Sequence, residues 1–205
     1  MNYFVYKFIY YLGKIVFKIL YFPRYYRRKN IPEKGAVILA GNHTHNLDAG
    51  FMITGPRRIV RSVSKKELFR TKFKSWFFKS MGCIKVDRSI HDDEMKNEVI
   101  NCLKNQEVVG IFPEGTVNKT NDIIMPFKYG AVSFAQKTGA YIVPFAITGK
   151  YKLFKKGIKI EYGEAYKIDE NANLDEENEK LMNIVKELII KGRKNNDKQE
   201  KRREK

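Results

Sequence analysis

Acidic residues are scarce in this chain. Its 205 residues include 40 Lys or Arg but only 23 Asp or Glu, a formal net charge of +17. Cysteine is scarcer, with only Cys83 and Cys102. Two cysteines are too few, and wrongly spaced, for a structural zinc site, and they read as reduced and structural rather than bridged. No low-complexity tract is long enough to be a second domain, and no internal repeat is visible. A long uninterrupted apolar run is also missing. Within residues 1–22 the longest stretch without lysine is six residues. A membrane-crossing helix needs about 20 mostly apolar residues, and a secretory leader needs its charges at the start and an unbroken apolar middle. The segment fits neither description.

What is present supports one folded unit. A hydrophobic content of 43% suffices for a single domain of roughly 150–180 residues with a proper core. The basic residues cluster in three places. Residues 1–30 carry seven and no acid, residues 57–79 carry nine against Glu67 alone, and residues 191–205 carry eight against three acids. Such clustering predicts an anionic partner, nucleic acid or a membrane surface. The last segment has few apolar residues, and residues 193–205 read as a basic, disordered tail.

The first segment favours the membrane. On a helix advancing about 100° per residue, Lys7, Lys14 and Lys18 fall within about 40° of one another. Tyr3, Tyr10, Tyr11 and Tyr21 flank that stripe, and residues such as Phe4, Phe8, Leu12, Ile15 and Ile19 fill a broad apolar remainder. This pattern suits an interfacial helix, with lysines at lipid phosphates and aromatics at the acyl boundary. Arg24, Arg27, Arg28 and Lys29 add attraction to an anionic leaflet, about 1 kcal/mol each at the surface. The competing reading is a helix docked on the protein's own core. Residues 1–29 are therefore expected to be a membrane-associating helix and basic linker on a peripheral protein, and 30–192 the folded domain.

Beyond Pro32 and Gly35, strands are expected near 36–41, 59–63, 83–86, 107–112, 141–147 and 158–162. Helices are expected near 47–54, 66–80, 92–105, 127–138 and 175–192, with Asn46 capping the first of these and Asp92 and Asp93 opening the third. Alternation of this kind predicts an α/β fold, one mixed and mostly parallel sheet with helices on its faces.

His43 and Asp48 stand just after the run Ala36-Val37-Ile38-Leu39-Ala40. In open α/β sheets, ligands bind at the carboxyl ends of strands. A histidine can take a proton from a hydroxyl near neutral pH while a carboxylate holds its other ring nitrogen. His45 lacks that spacing and reads as structural or supporting. A His43/His45 metal pair has no evident third ligand, so no metal is expected. Three further clusters lie near strand ends: Gly82 to Arg88, Phe112-Pro113-Glu114-Gly115-Thr116, and Val143-Pro144-Phe145-Ala146-Ile147.

Taken together, the clusters resemble the glycerolipid acyltransferase family, typified by bacterial 1-acylglycerol-3-phosphate acyltransferases. The His-x4-Asp match is complete, with Asn42 before it. Phe127-Lys128-Tyr129-Gly130-Ala131 is similar to the segment that follows the third block, and the likeness runs from about residue 30 to 165. The resemblance implies a glycerol-3-phosphate acyltransferase-like fold and transfer of a fatty acyl group from acyl-CoA or acyl-carrier protein to a lysophospholipid hydroxyl. It implies no cofactor beyond that co-substrate. The product would be phosphatidic acid, made for phospholipid biosynthesis at the cytoplasmic face of the cell membrane. His43 would be the general base and Asp48 its orienter. Arg88 would hold the acceptor phosphate, Glu114, Gly115 and Thr116 would shape the acceptor site, and Val143 and Pro144 would lie on the acyl-donor side. One position departs from the family pattern. Val117 stands where an arginine usually follows Glu-Gly-Thr, and Lys85, Lys119 or Lys128 is expected to supply charge in its place. The alternatives are another lyso-lipid acceptor or a non-catalytic binder of anionic surfaces; nucleic acid is not the expected partner.

Overall fold

The computed structural model describes residues 1–90 and 92–201, with backbone alone for 195–201. One seven-stranded sheet organises it: β1 (Arg24–Tyr26), β2 (Val37–Gly41), β3 (Val60–Lys65), β4 (Ile84–Val86), β5 (Val108–Ile111), β6 (Tyr141–Thr148) and β7 (Lys159–Tyr162), in the order β1-β7-β6-β2-β5-β3-β4. Every neighbouring pair is parallel except β6 and β7. The central strand β2 is buried along its whole length, as a parallel strand covered on both faces must be. Leu39 of β2 pairs with Gly110 of β5 on one side and Val143 of β6 on the other.

Alternate β2 residues feed opposite cores. Ile38 and Ala40 join a cluster that includes Val99, Leu103, Val132, Leu181 and Val185. These come from the helices α4 (Asp93–Lys104), α5 (Gly130–Thr138) and α6 (Leu174–Lys201). Val37 and Leu39 join the other cluster, with Tyr6, Phe51 and Met52. That face is covered by α1 (Tyr3–Tyr21) and α2 (Asp48–Thr54), with the short α3 (Lys72–Ser80) against α1.

The helix α1 divides its surface between two environments. Tyr6 is buried and its hydroxyl accepts the Val60 N–H at 3.0 Å, while the Tyr10 hydroxyl donates to the Pro56 carbonyl at 2.8 Å. Phe17 packs on Phe51 with ring centroids 4.6 Å apart. Phe4, Lys7, Phe8, Leu12, Lys14, Ile15, Lys18 and Ile19 all face outward. The reading of a docked helix therefore holds for the sector around Tyr6, Tyr10 and Phe17, while the opposite apolar sector with its lysine edge stays open.

Several sequence expectations are corrected. Strand β1 falls in the stretch read as linker, and three residues are too few to show a period of two. It engages part of the basic run with the domain: Arg27 pairs with Glu161 at 3.5 Å and Arg28 lies over the Tyr25 ring at 4.3 Å. Asn46 does not cap α2. Leu47 occupies the cap position without a side-chain bond, and the Asp48 carboxylate takes up nearby N–H groups instead. The tail expected from residue 193 is helical as far as Lys201, because its Lys, Arg, Gln and Glu residues are good helix formers. Residues 202–205 of that tail lie outside the described residues. Cys83 and Cys102 are both free and buried.

Candidate active site

Strand β2 delivers the site. At its carboxyl end Gly41 passes so close to β6 that an added Cβ would stand 2.4 Å from the Phe145 carbonyl oxygen, which demands glycine. Asn42 then fixes the exit. Its amide donates to the Ile147 carbonyl at 3.0 Å, and its carbonyl accepts the Ile147 N–H at 2.8 Å. This two-bond clasp between β2 and β6 orients the residue that follows, His43.

The chain next wraps around a carboxylate. Asp48 is wholly buried. Its Oδ2 accepts the Thr44 N–H at 2.6 Å and the His45 N–H at 2.7 Å, and lies 3.0 Å from His43 Nδ1. A proton on Nδ1 would complete the contact and leave Nε2 as the free ring nitrogen. Phe112 stacks on the imidazole at 4.2 Å with an interplanar angle of 15°. The other oxygen, Oδ1, accepts the Tyr151 hydroxyl, and the Tyr151 ring stacks on His45 at 4.2 Å. Burial and the neighbouring Asp48 charge push the Tyr151 phenol far above its ordinary pKa, so it remains a donor.

Glu114 secures the same loop from the side. Its carboxylate accepts the His43 N–H at 2.7 Å and the Met125 N–H at 2.9 Å. Burial raises its pKa, and those two N–H groups act in the opposite direction. Gly115 follows in the left-handed region, φ 73°, and turns the chain beneath Lys128.

His43 opens onto a cavity of about 570 Å³. Arg88, Gly115, Thr116, Val117 and Lys128 line it, as do Lys65 and Lys96, which the sequence reading did not single out. Apolar side chains, among them Met95, Ala131 and Phe134, make another part of the wall. Arg88 has no ion-pair partner among the described residues. The cavity thus joins a carboxylate-bound imidazole to a set of cations, an arrangement suited to a hydroxyl-bearing anion.

Five of the residues expected on the acceptor or donor side do not reach this cavity. Glu114 is turned onto backbone N–H groups, as above. Lys85 stands outside it, 3.9 Å from Glu94, and Lys119 is exposed on the following loop. Val143 and Pro144 are buried inside β6, and the Pro144 carbonyl is occupied by the Gly163 N–H at 2.7 Å. Tyr151 is the functional candidate that the sequence reading missed. It lies 103 positions from Asp48, and nothing in the sequence signals their meeting.

Comparison with known proteins bears on the family and the fold. The profile of the Acyltransferase family matches residues 23–148. The 1-acyl-sn-glycerol-3-phosphate acyltransferase of Bacillus subtilis is 34% identical over 166 residues, 78% of this chain and 81% of that protein. The enzyme of that name from Borreliella burgdorferi is 31% identical, over 80% of this chain and 68% of its own. The crystal structure of the 1-acyl-sn-glycerophosphate acyltransferase PlsC from Thermotoga maritima shares the fold, with a TM-score of 0.72 at 23% identity, covering 88% of this chain and 76% of that one.

Proposed function

The chain belongs to the acyltransferase family, and on that premise we propose that it acylates the sn-2 hydroxyl of 1-acylglycerol-3-phosphate, giving phosphatidic acid for phospholipid biosynthesis. The donor is a thioester, acyl-CoA or acyl-carrier protein. The observation that carries the proposal is the His43–Asp48 contact at 3.0 Å opening into the cavity that also holds Arg88.

A thioester is already reactive, so no covalent enzyme intermediate is required. As the acceptor oxygen attacks the thioester carbonyl, its proton passes to His43 Nε2. The C–O bond forms, the C–S bond breaks, and the imidazolium returns the proton to the departing thiolate. Asp48 favours the imidazolium that develops. Arg88, with Lys65 and Lys128, holds the phosphate and sets the hydroxyl against the base. Thr116 and Gly115 bound the acceptor side. Val117 gives a second acceptor reading some force, because it places an apolar side chain in the cavity where family members usually have arginine. An acceptor panel with and without phosphate separates the two readings.

The outward sector of α1 supports work at an anionic lipid surface, peripherally on the cytoplasmic face, with residues 1–29 serving that contact and 30–192 the chemistry. No helix among the described residues is long and apolar enough to cross a membrane. The deciding experiment is His43→Ala in an assay of acyl transfer to lysophosphatidic acid. A loss of about 10²–10⁴-fold is expected; undiminished turnover by a folded variant sinks the assignment of His43 as base, and no transfer by the parent chain sinks the activity.

A further inference from the structure

The loop between β6 and β7 carries a pattern that the chemistry above does not use. It reads Lys150-Tyr151-Lys152-Leu153-Phe154-Lys155-Lys156. Leu153 is 55% exposed and Phe154 66%. Lys150, Lys152, Lys155 and Lys156 are exposed, and none forms an ion pair among the described residues. Two large apolar side chains held in water between four unneutralised cations gain nothing from the fold itself. The backbone also works to keep them there. Phe154 sits in the left-handed region, φ 58°, an unfavourable place for a bulky residue. Its N–H donates to the Leu20 carbonyl in the last turn of α1 at 2.6 Å. The loop tip is thereby stapled beside the open apolar sector of α1.

We propose that loop 149–157 is a second lipid-contact element, which inserts Leu153 and Phe154 into an anionic bilayer surface while its lysines meet the phosphates. Charge complementarity selects this occupant. Apolar tips ringed by cations match the boundary between acyl chains and anionic headgroups, whereas a protein partner or nucleic acid would leave the Leu153–Phe154 pair without a comparable medium. The element is not isolated from the catalytic loop. Tyr151, two residues before Leu153, bonds the buried Asp48 carboxylate, so the segment that meets lipid also holds the orienter of His43. The inference rests on the reading that the chain works at a lipid surface, and extends it from α1 to a part of the fold more than a hundred residues away.

The test uses the full chain with Leu153→Cys, labelled with an environment-sensitive fluorophore; the native Cys83 and Cys102 are buried and do not compete. Vesicles of phosphatidylcholine with and without phosphatidylglycerol are added, and flotation is scored in the same samples. The expected result is a blue-shifted emission with the anionic vesicles, less with the neutral ones, and none with a duplex oligonucleotide. The unlabelled double variant Leu153→Ser, Phe154→Ser should bind anionic vesicles about tenfold more weakly. A chain that floats while its label stays in water overturns the loop contact and leaves the surface reading standing. A chain that does not float overturns both. A shift produced by the oligonucleotide alone assigns the loop to nucleic acid and overturns the proposal. None of these readouts depends on acyl transfer.

Discussion

Replacing Tyr151 with phenylalanine removes one O–H from around Asp48 and leaves the ring that stacks on His45 at 4.2 Å. Asp48 has four donors in the structure: His43 Nδ1 and the Thr44 and His45 N–H groups on Oδ2, and the Tyr151 hydroxyl on Oδ1. A hydrogen bond to a charged group is worth about 1.5–3 kcal/mol. Because Asp48 is fully buried, no water replaces the lost donor. The variant should therefore melt roughly 3–12 °C lower, at about 2–4 °C per kcal/mol for a chain of this size. The same loss leaves one side of the carboxylate that orients the His43 ring unsupported, so kcat should fall by about tenfold, at about 1.4 kcal/mol per factor of ten, with KM little changed. The assay follows thiol release from acyl-CoA across acceptor concentrations, beside thermal melts. A kcat equal to the parent's would refute the view that Tyr151 positions the dyad. A melt that falls with no change in kcat would reduce Tyr151 to a stabilising role.

Three further expectations use other parts of the structure. Glu114→Gln places an amide N–H₂ against one of two backbone N–H groups, from His43 or Met125; stability should fall by about 1–3 kcal/mol and turnover should fall with it, checked by denaturant titration and acyl transfer. Phe8→Ser, Leu12→Ser and Ile15→Ser together alter only the outward sector of α1, so vesicle flotation should drop sharply while the melting temperature holds; a large loss of stability would mean that this sector is also packed. Hydrogen bonds from Lys66 and Ser89 hold the Asp87 carboxyl down at about 2. A depressed carboxylate stabilises the fold above its unfolded pKa and loses that contribution as pH falls through the folded value. The melting difference between the parent and Asp87→Asn should thus be present at pH 5 and shrink toward pH 2; a difference that grows on acidification contradicts the Lys66 contact at 2.7 Å.

The sequence disclosed what is local and little of what is distant. His43 and Asp48 were legible because a five-residue wrap closes by itself around a carboxylate. Strands β2, β5 and β6 were legible because strands buried on both faces leave continuous apolar runs. Tyr151 and the Asn42 clasp to Ile147 depend on chain positions more than a hundred residues apart, brought together only when β6 joins β2. The role of Glu114 depended on where Met125 would return. Val143 and Pro144 stood in a recognisable block, yet a residue inside a central strand is buried by its neighbours on both sides. The breadth of the apolar surface on α1 could be counted, but which sector would dock was decided by Phe51 and Val60, elsewhere in the chain.

The first helix is fastened at both ends. Near its start the Asn2 N–H reaches the Ser80 carbonyl, and after its last turn β1 is laced to β7. Those two attachments tie the helix to the domain at each end. If its open sector lies on a bilayer, the cavity keeps one height and one tilt above that plane, and a lipid acceptor diffusing laterally meets His43 from a constant direction. The search for substrate is then reduced to two dimensions, with the orientational entropy of docking lost once, when the helix lands, rather than at every turnover.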